Sequence, residues 1–127
     1  MRKPQKLLIA DANQNRAHSL SLLLEQGGYS VSITDSLKKT MYQIQKEKID
    51  VLVMDIEMPE MKGYEAVPII CGIDPEILII LTAENNSPEL EAKVRQQKVF
   101  YYHVNTFGND ELVLAIRNAC ERAAHQR

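Results

Sequence analysis

Residues 50–65 read DVLVMDIEMPEMKGYE. An apolar run of strand length, Val51–Met54, ends in Asp55, passes through a loop containing Met58-Pro59, and reaches Gly63. A near-continuous apolar run closed by a polar residue suits a strand covered on both faces, as in a parallel sheet. The segment after it is helical in pattern. Pro68 falls inside Tyr64–Cys71, so this helix is expected to start near Gly63 and to be short or bent.

The same alternation continues on either side. Further apolar runs occur at Leu7–Ala10 and Ile77–Leu81, an alternating run at Tyr29–Thr34 and an aromatic run at Phe100–Val104. Helical patterns lie between them. Ala17–Gln26 places Leu20, Leu23 and Leu24 on one face and stops at Gly27-Gly28, a helix-end signal. Leu37–Glu47 has Leu37, Met41 and Ile44 on one stripe, with Lys38, Lys39, Lys46 and Lys48 on a solvated face. Ser87-Pro88-Glu89 opens a fourth helix with a cap, a proline and an acid in order. Asn109-Asp110-Glu111 opens a fifth, with Leu112, Ile116 and Ala119 on its buried stripe. Five βα units with right-handed crossovers predict one α/β domain over residues 1–127, with its core at about 5–124: a parallel sheet flanked by five helices.

The composition is that of an ordinary globular chain, 45% hydrophobic and 25% charged. Fifteen basic against seventeen acidic residues give a net charge of -2, which disfavours direct nucleic-acid binding. Cys71 and Cys120 are too few for a disulfide framework and read as reduced thiols, which points to the cytoplasm. The start, MRKPQKLLIAD, reads as neither a signal peptide nor a membrane span. The fifth helical pattern lies near the end of the sequence, which is expected to be either a free-standing domain or a piece of a longer protein.

In open α/β sheets the site lies beyond the carboxyl ends of the strands, where strand order reverses. Those ends carry Asp11, Asp55, Thr82 and Asn105. With the first and third strands adjacent, Asp11 and Asp55 converge beside a hydroxyl. Two facing carboxylates call for a counter-charge, and Mg2+ suits a shallow site with few protein oxygens. A carboxylate there can attack phosphorus and become an aspartyl phosphate, with Thr82 donating to a phosphoryl oxygen. Read singly, Asp11 is equally a turn or cap residue.

KLLIAD at the start, residues 50–65 and ILIILTA at 77–83 together resemble the receiver domain of two-component response regulators. The resemblance covers about residues 1–125 and implies a sheet in the order 2-1-3-4-5. It implies that Asp55 accepts a phosphoryl group from a histidine kinase or phosphotransfer protein, with Mg2+ at Asp11 and Asp55. It also implies that Thr82 contacts the phosphoryl group and that Tyr102 is the aromatic that turns inward on activation. By the same analogy an output partner docks on residues 88–124, including Tyr101 and His103, and a homodimer can form through the last helices. Two positions depart from the family. Ala12 follows Asp11 where the family has a second acid, the one that contacts the metal, and Asn105 stands where it has lysine. Glu57 is a candidate third metal ligand in place of the missing acid, or a solvated loop residue. Enzymatic activity is at most phosphoryl transfer to Asp55 itself. The alternative is a pseudo-receiver that binds partners without phosphorylation.

Other readings fall away. His18, His103 and His125 do not share ligand spacing; His18 and His125 read as surface residues and His103 as an outward position on the fifth strand. The Asp11–Asn15 loop lacks the glycine- and hydroxyl-rich phosphate loop of a flavodoxin-like cofactor binder, and Asp11-Ala12-Asn13 does not give the DxD of a haloacid-dehalogenase-like phosphatase.

Overall fold

The computed structural model describes residues 4–126. The elements run β1 (Lys6–Ala10), α1 (Gln14–Gln26), β2 (Ser30–Thr34), α2 (Leu37–Lys46), β3 (Val51–Asp55), α3 (Gly63–Ile73), β4 (Leu78–Ala83), α4 (Pro88–Arg95), β5 (Tyr101–Val104) and α5 (Asp110–His125). The five strands form one parallel sheet in the order β2-β1-β3-β4-β5, as the family resemblance implied.

Successive side chains along a strand point to opposite faces, and the two cores follow that period. Leu8, Leu52, Ile79 and Leu81 face α2, α3 and α4, meeting Leu37, Ile44, Ile70 and Val94. Leu7, Ile9, Val53 and Ile80 face the other way, toward α1 and α5, meeting Leu20, Leu24, Ile116 and Ala119. β3 and β4 are buried along their whole length, which explains their unbroken apolar runs.

Three helices begin at side-chain caps. Asn13, Ser36 and Ser87 each accept from a backbone N–H three residues on, at Arg16, Lys39 and Leu90. The Asn13 cap explains why α1 begins three residues earlier than its apolar pattern. Helix α3 starts at Gly63 as expected but is not short. It runs 11 residues through Pro68. That proline is exposed, and the helix continues through it. Two side chains also differ from expectation. Leu23 is exposed on α1. His103 is buried at 1% exposure, its Nε2 2.7 Å from the Gly108 carbonyl oxygen, so it is not an outward contact residue.

Candidate functional site

β1 and β3 are neighbours, while the chain leaves β1 for β2 on the opposite side; strand order therefore reverses between them. Asp11, directly after β1, and Asp55, the last residue of β3, both lie at this point, buried at 5% and 4% exposure. Thr82 pairs with Asp55 in the β3–β4 register and donates its hydroxyl to Asp55 Oδ1 at 3.0 Å. The Glu57 backbone N–H donates to Asp55 Oδ2 at 3.1 Å. The nucleophile candidate is thus held by one hydrogen bond on each oxygen.

The counter-charge comes from within the chain. Arg16 donates from Nε to Asp11 Oδ2 at 2.7 Å and from Nη2 to Asp11 Oδ1 at 2.8 Å, a bidentate fork. The same Nη2 stands 3.5 Å from Asp55 Oδ2, and Nη1 stands 3.5 Å from Glu84 Oε2 on the loop after β4. Arg16 is the third residue of α1, and helical side chains lean toward the helix N-terminus, which aims it back over the β1–α1 loop. Asp11 also accepts from the Asn13 N–H at 2.9 Å, so it is a turn residue and a pocket acid together.

These contacts set the electrostatics. Burial, reinforced by the Asp11 charge, pushes the Asp55 carboxyl above its ordinary range, against the pull of Arg16, Thr82 and the Glu57 N–H. The Asp11 hydrogen bonds hold Arg16 more firmly protonated than usual.

The other expected residues divide. Asn105 lines the same small cavity as Asp11, Arg16, Asp55 and Thr82, and its Nδ2 is buried without a hydrogen-bond partner. Ala12 is exposed, so the departure noted there lies on the outside of the loop. Glu57 is turned away: both its carboxylate oxygens lie 2.6 Å from Lys62 Nζ, and the pair is exposed. An antiparallel bridge between positions 57 and 62 makes that pairing local. Tyr102 packs its ring against the α2–α4 core and donates its hydroxyl to Asn86 Oδ1 at 2.8 Å, on the β4–α4 loop.

The donor set does not fit Mg2+ as it stands. The guanidinium covers both Asp11 oxygens, Glu57 is engaged elsewhere, and the cavity is about 20 Å3, roughly the space of one water. No group of three acidic, histidine or cysteine side chains converges among the described residues. Sequence reasoning placed Asp11, Asp55, Thr82 and Asn105 together but missed Arg16. Its signal was an arginine five residues after an acid, across a helix cap.

A five-stranded doubly wound sheet with two buried acids and a threonine at its switch point is the architecture of a receiver-type domain. The family model for the response regulator receiver domain matches residues 7–117, and the chain belongs to that family. It is 33% identical over 123 residues to the transcriptional regulatory protein GlrR of Escherichia coli K12, covering 96% of this chain and 28% of that protein. It is 31% identical over 115 residues to the CAI-1 autoinducer sensor kinase/phosphatase CqsS of Vibrio cholerae, covering 88% of this chain and 17% of that one. The chain therefore spans less than a third of these relatives. A CheY-like receiver domain from Methanospirillum hungatei superposes with a TM-score of 0.90 at 20% identity, covering 98% of this chain and all of that one. Receiver domains of this family generally bind Mg2+ at the acidic pocket and interact with histidine kinases or phosphotransfer proteins. Among the described residues no helix is long and apolar enough to cross a membrane.

Proposed function

We propose that Asp55 accepts a phosphoryl group from a phosphohistidine on a histidine kinase or phosphotransfer protein, and that the domain signals through it. The observation that supports this is the fixed Asp55 carboxylate, bonded by Thr82 and the Glu57 N–H at the open end of the sheet. The attack is an in-line displacement: an Asp55 oxygen forms a bond to phosphorus, the phosphorus–nitrogen bond breaks, and its electron pair goes to the imidazole nitrogen. In this reading the chain works in the cytoplasm, and Thr82 holds a phosphoryl oxygen by its hydroxyl. Tyr102 and residues 88–124 carry the signal outward to a partner.

Mg2+ is given no step in this reading, since the Arg16 guanidinium covers both Asp11 oxygens. The Glu57 side chain stays with Lys62 and adds no ligand to the pocket.

The test is phosphoramidate labelling followed by intact mass. Wild type gains one phosphoryl group, which hydroxylamine removes, and Asp55→Asn gains none. Labelling of Asp55→Asn to the same extent would refute the assignment.

A further inference from the structure

We propose that Arg16 supplies the positive charge for the phosphoryl group on Asp55, a role that the chain moves from the end of β5 to the first turn of α1. The inference rests on the phosphoryl-acceptor reading of Asp55 and adds the residue that binds the transferred group.

Three observations meet at one cavity. Position 105, where the family resemblance places a lysine, holds a neutral asparagine, and its buried Nδ2 finds no partner. Arg16, Asp11, Asp55, Thr82 and Asn105 line that cavity together, and Arg16 is the cation among its lining residues. Its Nη2 is already 3.5 Å from Asp55 Oδ2 while its Nε and Nη2 hold Asp11.

The chemistry favours a transfer of that guanidinium from one anion to another. A phosphoryl group adds about 1.5 to 2 negative charges and three strong acceptor oxygens beside Asp55. Arg16 then faces an anion stronger than Glu84 within its present reach, and a planar fork matches phosphoryl oxygens bidentately. Asn105 Nδ2 contributes a neutral donor to the same group. Swinging Nη1 from Glu84 toward the phosphoryl group frees the loop after β4. Tyr102 is hydrogen-bonded to that loop at Asn86. Arg16 thereby links occupancy of Asp55 to the segment that Tyr102 reads.

The test measures the rate of phosphoramidate labelling of the whole chain at one fixed Mg2+ concentration, with circular dichroism confirming the fold of each variant. Arg16→Gln is expected to slow labelling of Asp55 about ten- to a hundredfold, the value of a charge-assisted hydrogen bond. Arg16→Lys, which keeps the charge without the fork, falls between. Adding Asn105→Lys to the Arg16→Gln chain returns a cation from the β5 end and restores most of the rate. A structural role for Arg16 would not be rescued from position 105, so loss without rescue overturns the proposal, as does an unchanged rate in Arg16→Gln. Beryllofluoride affinity, read by fluorine NMR, is the second measurement and follows the same order of variants. Failure of wild type to label at Asp55 would instead remove the parent reading.

Discussion

Asp55 carries a charge in a place that resists it. Burial first and the Asp11 charge second raise its carboxyl above the ordinary range. An acid raised in the folded state binds its proton more tightly folded than unfolded, so its ionisation lowers stability. That loss is absent below the unfolded pKa of about 3.9 and complete once pH passes the folded value. Asp55→Asn removes the charge and is therefore expected to raise the melting midpoint of the domain at pH 7. The gain disappears as pH falls below the carboxylate range. Thermal melts of both proteins across pH check this; a lower midpoint for the variant at pH 7 contradicts it. At this scale the sequence revealed Asp11, Asp55 and Thr82, because strand ends in a parallel sheet have a calculable neighbourhood. Arg16 stayed hidden because its contact depends on the direction a helical side chain leans, not on its own strand or motif. Glu57 was open to two readings because Lys62, five residues away, reaches it only through a loop bridge.

Elements position these residues through close backbone contacts. The first turn of α3 packs on the backbone that carries Asp55. Gly63 N donates to the Ile56 carbonyl at 2.7 Å. A Cβ at position 63 would stand 2.7 Å from the Asp55 carbonyl oxygen and 3.1 Å from Ile56 Cα. Neither atom is the free end of a flexible side chain. Gly63→Ala should therefore destabilise the domain by about 1–3 kcal/mol, the range of overpacked sites, and should slow labelling of Asp55 by shifting its main chain. Urea unfolding and the phosphoramidate assay report the two effects. Wild-type stability in the variant would show that α3 can move away. The same loop is tied at its far side, where the Glu60 carboxylate accepts from the Leu37 and Lys38 N–H groups and closes the start of α2. The starts of α3 and α4 were legible from Gly63 and Ser87, since glycines and caps act locally, whereas the Asn13 cap that starts α1 ahead of its apolar stripe was not read. The length of α3 was not, because a proline inside a helical pattern ordinarily ends or bends it, and here the helix runs through Pro68. The burial of His103 was also illegible: its partner is the Gly108 carbonyl in the turn that follows β5.

Across the whole molecule, the two cores on opposite faces of the sheet make β3 and β4 a rigid floor under the pocket. Change at Asp55 is therefore expected to travel through the loops, by Thr82, Glu84 and Asn86 on the β4 side and by Tyr102 on β5. The fold was readable because local patterns, strand-end polarity and the family resemblance all agreed on one architecture. The charge balance of the pocket was not, because it joins Arg16 of α1 to Asp11 after β1, Asp55 of β3 and Glu84 on the loop after β4, which the assembled sheet brings within 4 Å.

The central claim is that Asp55 is a working phosphoryl site whose cation is Arg16. Amide and arginine side-chain NMR of the wild-type chain tests it most directly, with beryllofluoride added as the phosphoryl mimic. Saturable shifts are expected at Asp55, Thr82 and the Arg16 Nε–H, extending to Glu84, Asn86 and Tyr102. Unmoved Asp55 and Thr82 signals at saturating beryllofluoride would contradict the phosphoryl site. Shifts there with an unmoved Arg16 Nε–H would contradict its cation.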